Sequence, residues 1–202
     1  MKICSRGWLS CLFFFLLPVV ASASSVMRVD MAEMKGGAQL VFEGRVVGTR
    51  IEHQPGARAI HTWVRFEVLD VIKGQYDQPV LELSFLGGTA GQYSVEVSDM
   101  QIPKMGEHGI YFVEDIKKPM VNPLYGWAQG HFLVQYDRKQ QQQMITTLKG
   151  EPVFDLEAGA VSPQIQEISR GIAHGVLTTP RTAQDNPLAP DQFKAVLRGM
   201  TE

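Results

Sequence analysis

The chain has 202 residues, 45% hydrophobic and 20% charged, which excludes a disordered chain and gives one domain enough apolar mass for a core. Nineteen basic against twenty-one acidic side chains give a net charge of −2. That balance excludes nucleic acid or an anionic membrane as a partner held by a general basic field.

Residues 1 to 25, MKICSRGWLSCLFFFLLPVVASASS, place Lys2 and Arg6 ahead of an apolar run from Trp8 to Val20, and Ala21-Ser22-Ala23 closes it. This is the layout of a secretory signal peptide cut after Ala23. The run is shorter than the about 20 residues that span a bilayer, so the expectation is an exported protein, periplasmic or extracellular, with no membrane anchor. Cys4 and Cys11 lie before or at the start of the run, which is the wrong place for lipid attachment. Both leave with the signal, and the mature chain must be stable without disulfides. Cleavage also removes Lys2 and Arg6, which takes the net charge from −2 to about −4.

After the signal, DMAEMKGG (30 to 37) reads as a short helix capped by Asp30, with Met31 and Met34 on one face and Gly36-Gly37 at its end. AQLVFEGRVVG (38 to 48) alternates as a half-buried strand, with Leu40, Phe42 and Val46 on one face and Glu43 and Arg45 on the other. The polar stretch 49 to 59, with Pro55-Gly56, reads as an exposed hairpin connection. In HTWVRFEVLDVIKG (61 to 74), Thr62, Val64, Phe66 and Val68 share a face, while His61, Arg65 and Glu67 share the other. Trp63 is the large apolar exception on the polar face. The phase then breaks at Leu69, which predicts a bulge near Val68 and Leu69 where a long strand turns a corner.

Further strands are predicted at 79 to 85, 92 to 97, 109 to 114, 130 to 137, 144 to 148 and 151 to 156, which together read as an antiparallel barrel or sandwich. Beyond them, SPQIQEISRGIAHG (162 to 175) has a Ser-Pro start and a stripe of Ile165, Ile168 and Ile172, the pattern of a helix. DQFKAVLRGM (191 to 200) repeats Phe193, Val196, Leu197 and Met200 on a second helical stripe, which either docks on the barrel or faces a partner.

The chemistry is sparse. His53, His61, His108, His131 and His174 form no HxH, i,i+4 or HExxH spacing. A distant pairing such as His53 with His61 stays open, against ordinary rim histidines. No GxSxG or SxxK pattern is present, and a serine site without a local signature is recognised only by geometry. LGGTAG (86 to 91) reads as a flexible connection rather than a phosphate loop, and Glu96, Asp99, Glu114 and Asp115 as solvated edges rather than cation ligands. In NPLYGWAQGHF (122 to 132), Tyr125, Trp127 and Phe132 beside two glycines are the candidate binding residues, as aromatic anchors for a protein or sugar. The competing reading, favoured because a small barrel must be filled, is that they plug one end.

The opening AQLVFEGRVVG, a polar loop, then HTWVRFEVLDVIKG with its Lys73-Gly74 ending resembles netrin-like domains and tissue inhibitors of metalloproteinases. It is similar also to small exported bacterial proteins that share Leu86-Gly87-Gly88, Gly106-Glu107 before an apolar strand, and a Gln-Gly-x-Phe-x-Val strand from Gln129 to Val134. The resemblance covers about residues 30 to 150. It implies a mainly β fold, an OB-like Greek-key antiparallel β-barrel with short N-terminal and C-terminal helices. Metalloproteinase inhibitors chelate the protease zinc through an N-terminal cysteine; a mature start at Ser24-Ser25-Val26 does not support that mechanism.

The resulting expectation is a signal peptide over 1–23, a β-barrel domain over 24–156 and a helical extension over 157–202. The functional reading is a non-enzymatic exported module that binds a protein, by analogy a protease, or another extracellular ligand. It assigns no catalytic residue, no metal and no cofactor. The alternatives are a hydrolase or metalloprotein with a dispersed His and Asp/Glu site, and an envelope-assembly component that uses the C-terminal helix as its contact.

Overall fold

The structure, a computed structural model, describes residues 26–53, 59–138, 140–158 and 167–200. The signal-like segment 1–23 therefore lies outside the described residues. In chain order the elements are α1 (Met31–Gly37), β1 (Leu40–His53), β2 (Ile60–Lys73), β3 (Val80–Leu86), β4 (Gly88–Ala90), β5 (Tyr93–Val95) and β6 (His108–Val113). A 3-10 turn (Trp127–Gly130) then leads into β7 (His131–Asp137), β8 (Gln142–Thr147), β9 (Asp155–Leu156), β10 (Val176–Leu177) and α2 (Pro190–Gly199).

Six strands form one antiparallel sheet in the order β3-β2-β1-β6-β7-β8. Three hairpin-connected strands and a fourth that returns by a long connection to lie beside the first make the order of a Greek key. No pairing joins β3 to β8 among the described residues, so the sheet is open there with β3 and β8 as its edges. β1 runs to His53, well into the stretch that reads as a connection in the sequence.

The predicted bulge is present. Glu43 pairs with Asp70 and Gly44 with Val68, so Leu69 has no partner opposite it and points outward, 44% exposed. Val68 and Val71 consequently pack on the same apolar cluster although they are three residues apart. Two further shifts in this ladder, at Val41/Phe42 and Val46/Gly48, bend the long β1–β2 ribbon.

Strand alternation gives the sheet a core on each face. On one side Leu40, Phe42, Val46, Val64, Phe66 and Phe85 gather around Tyr111. On the other, Val41, Ile110, Phe112 and Phe132 meet both helices through Met31, Met34, Phe193 and Leu197. α1 forms as the sequence predicts: the Asp30 side chain accepts from the Ala32 N–H at 2.7 Å, and Met31 and Met34 are fully buried. The Lys73-Gly74 ending acquires a physical role here. Lys73 Nζ donates to the carbonyls of Lys35 and Gly36 at 2.5 and 2.9 Å, which caps the C-terminal end of α1. Gly74 takes φ +86° against the Gln39 carbonyl, where a Cβ would sit at 2.4 Å.

α2 is clasped to the sheet by an ionic network centred on the buried Lys194–Glu43 pair. Lys194 Nζ donates to Glu43 at 2.6 Å, to Asp191 at 3.0 Å and to Asp70 at 3.1 Å, while His108 Nε2 donates to Glu43 at 2.9 Å. Arg198 holds Asp70 through two 2.9 Å bonds. The His108 hydrogen bond, followed by Lys194, outweighs burial and holds the Glu43 carboxyl down to about 2. Burial alone would lower the Lys194 ammonium, but Glu43, Asp191 and Asp70 outweigh it and raise it. With Phe193 and Leu197 in the core, the apolar face of α2 packs inside the fold.

The helix expected over 162–175 is absent from the described part of that stretch. Residues 162–166 lie outside the described residues, and 167–175 are non-helical. Met27 bridges Ile168, Asp30 bridges His174, and Ile168 is 63% exposed instead of lying on a buried stripe. Gly171 and Gly175, both at positive φ, break any helical run. Pairing with the segment before α1 therefore overrides the local helical spacing.

Candidate functional site

The outward face of β1–β2–β3 carries a cross-strand row of polar side chains. Register places Arg50 opposite Trp63 and Glu52 opposite His61 on one side, and Ser84 opposite Trp63 and Glu82 opposite Arg65 on the other. The even positions of β3 face outward because Leu81, Leu83 and Phe85 fill the core. A second wall comes from the connection after β6, residues 115 to 119 with Pro123. Between them lies a cleft of about 310 Å³, lined by Glu52, His61, Trp63, Glu82, Ser84 and Lys117 among others. Its volume lies at the lower end of small-ligand sites, about 300 to 1,000 Å³.

Both walls are pinned. Asp115 Oδ1 accepts the N–H groups of Lys117 and Lys118 at 2.7 and 3.0 Å, and these bonds hold its carboxyl below the usual range. Ile116 donates its N–H to Gln39 and packs on the inner cluster. The base of the loop is closed by Glu114 N–H to the Pro123 carbonyl, and its far side is tied to β3 by Leu86 N–H to the Val121 carbonyl, each 2.9 Å.

Trp63, the apolar exception of the sequence pattern, is the organiser of the strand wall. Its indole N–H donates to Glu52 at 2.6 Å, and the Arg50 guanidinium lies 4.5 Å from its ring centroid. Arg50 reaches Glu52 at 3.2 Å and Glu82 at 3.7 Å, while Arg65 meets Glu82 at 3.1 Å. The two arginines thus match the two glutamates. His61 and Ser84 share a hydrogen bond of 3.2 Å, Nδ1 to Oγ, inside the cleft. The histidine that opens HTWVRFEVLDVIKG therefore borders a cavity and is half-buried.

The aromatic trio of the sequence reading does not assemble into one surface. Phe132 is 2% exposed and packs between Phe112 and Phe193, at ring distances of 5.9 and 4.9 Å, so its ring is closed to a partner. Tyr125 lies across Gly37 at the end of α1 and donates to Glu33 at 3.4 Å. Burial, with Glu33 and Glu114 adding to it, raises its hydroxyl above the ordinary value. Trp127 opens the 3-10 turn at φ +60° and is half-buried. Phe132 fills the core on the helix-covered face of the sheet.

A further titratable cluster lies elsewhere and is largely buried. His131 Nε2 donates to Glu107 at 2.7 Å, and the Tyr111 hydroxyl donates to the same carboxylate at 3.1 Å. Burial raises the Glu107 carboxyl, but His131, the Lys104 N–H and Tyr111 outweigh it and the net direction is down. Burial, then the Glu107 charge, pushes the Tyr111 hydroxyl far up. His131 is 1% exposed and Tyr111 is fully buried, and Glu107 alone of the three is part-exposed. Among the described residues no cluster of three His, Cys, Asp or Glu side chains is placed to hold a metal ion. No described helix is long and apolar enough to cross a membrane.

Comparison of the chain with protein-family models, with curated proteins and with solved structures gives no match.

Proposed function

We propose that this chain is an exported, non-enzymatic binding module that takes its ligand in the cleft between the β2–β3 face and the 115–123 loop. The observation that carries the reading is a half-buried Trp63 whose indole N–H and ring are both fixed by neighbours, bordering a cavity between two pinned walls. Rigid aromatic anchors in a preformed cleft lower the ordering cost of binding. The order of basic residues, apolar run and small residues at 1–23 supports export. A netrin-like, OB-like barrel ancestry is part of the proposal, supported by the Greek-key order, the bulged β1–β2 ribbon and the Lys73-Gly74 cap on α1. The test is affinity capture from the periplasmic and culture fractions by the purified protein, with Trp63→Ala beside it. A partner recovered by the wild type and lost by the variant supports the reading; equal recovery by both, or none under varied growth conditions, refutes it.

The His61–Ser84 pair gives a second reading, a hydrolase with Ser84 as nucleophile and His61 as its base. It ranks lower because the described residues show no carboxylate hydrogen bond orienting His61. Labelling of Ser84 by a fluorophosphonate probe, abolished by His61→Ala, would raise it above the first; an unlabelled Ser84 removes it.

A further inference from the structure

The hydrogen-bond phase of β3 leaves part of its outer edge unused, in line with the cleft. Gly87 N–H bonds to the Ile60 carbonyl and Val68 N–H to the Pro79 carbonyl, which sets the odd residues of β3 toward β2 and the even ones toward the open side. The outward groups are then closed off at each end of the strand. The Tyr76 hydroxyl donates to the Val80 carbonyl at 2.7 Å, and Leu86 N–H donates to the Val121 carbonyl at 2.9 Å. Between these stops, the backbone N–H and C=O groups of Glu82 and Ser84 have no partner among the described residues, and the side chains of the same two residues line the cleft. An unpaired strand edge beside a preformed cleft is a template for one more strand.

The geometry points to an extended, acidic segment of another protein as the ligand, added to the edge of β3 by backbone pairing at Glu82 and Ser84. The inference rests on the cleft being the binding site and adds the class of partner. Charge selects the acidic segment. Arg50 and Arg65 are matched by Glu52 and Glu82 across the strands, whereas exposed Lys117 and Lys118, on the facing wall, form no ion pair among the described residues, and the neighbouring Asp115 is engaged by their backbone N–H groups. The stops at Val80 and Leu86 limit the added strand to about five residues, at about 3.4 Å each.

The probe is a set of blocked heptapeptides in which Val, Ile, Thr or Tyr alternate with Asp or Glu, with a matched set carrying Lys for the acids. The inference expects the acidic set to bind at least about tenfold more tightly than the basic one. Hydrogen exchange of the Glu82 and Ser84 amides should slow about tenfold on binding, while Leu83 and Phe85, already bonded to β2, stay unchanged. Ser84→Pro removes an outward N–H together with the hydroxyl bonded to His61 and leaves the β2 ladder intact, so it should bind about fivefold or more weakly than Ser84→Ala, which lacks the hydroxyl alone. If Ser84→Pro does not fold, N-methylation of alternate peptide residues tests the same bonds on the native protein. A ligand that perturbs Trp63 without slowing the two amides overturns the inference and leaves the cleft reading standing. Slowing that rises with protein concentration alone assigns the edge to a second copy and overturns it as well. A protein that captures no Trp63-dependent partner and binds none of the peptides overturns both.

Discussion

Replacing Lys194 by Met tests how α2 is held to the sheet. Lys194 is 7% and Glu43 8% exposed, and Met keeps most of the aliphatic stem while removing the charge. The variant leaves Glu43 buried with only His108 as donor, and breaking a buried pair from one side costs about 3 kcal/mol. A second route gives the same scale. Holding the Glu43 carboxyl at about 2 instead of 4.5 corresponds to about 3 kcal/mol, at about 1.36 kcal/mol per pH unit, shared first with His108 and then with Lys194. Because the folded-state value is depressed, this stability is complete above about pH 4.5 and is lost as the pH falls toward about 2. Lys194→Met should therefore cost about 2 to 3 kcal/mol in urea unfolding at pH 7, and less at pH 3, where the wild type has itself lost part of the Glu43 contribution. Glu43→Met added to Lys194→Met should recover part of the loss, since Asp70 keeps both bonds from Arg198 while His108 loses its acceptor. A cost under about 0.5 kcal/mol at pH 7, or one that does not change with pH, would refute the reasoning.

Phe193→Ala should destabilise the fold by about 3 to 5 kcal/mol in the same unfolding assay, because the ring is fully buried against Phe132; a near-neutral result would return α2 to the role of an external contact. Lys73→Met should cost about 1 to 2 kcal/mol and speed hydrogen exchange across α1, since two carbonyls at the end of that helix lose their donor; unchanged exchange in residues 31–37 would count against the capping role. Intact-mass analysis of protein from the periplasmic or culture fraction should show a chain beginning at Ser24. A full-length mass there, or retention of the protein in the cytoplasm, contradicts export.

Much of the sheet was legible because burial on one face forces a period of two. The alternation in 61–68 and its break at Leu69 led directly to the bulge that the β1–β2 register shows. Asp30, Met31 and Met34 predicted α1, and the stripe from Phe193 to Met200 predicted α2, whose boundaries lie one residue earlier than expected. The stretch 162–175 misled because isoleucine spacing is a local signal, whereas its described part is set by pairing with Met27 and Asp30, far away in sequence. The site was half legible. Trp63 stood out as a misfit on a polar face, and the register supplied the reason, an indole bonded to Glu52 across the strand pair. Its other wall, Asp115 to Pro119, read only as an acidic edge, because nothing in a linear pattern says which loop folds over which strand. Tyr125, Trp127 and Phe132 clustered in sequence, but the turn at 127–130 sends Phe132 into the core.

The most direct test of the cleft is hydroxyl-radical footprinting of the protein alone and with the captured ligand. The account predicts reduced oxidation at His61, Trp63 and the 115–119 segment on binding, with Tyr136 and Met105, exposed at 61% and 68%, unchanged. Protection at Tyr136 or Met105 with no change at Trp63 would place the interaction on another face and contradict it.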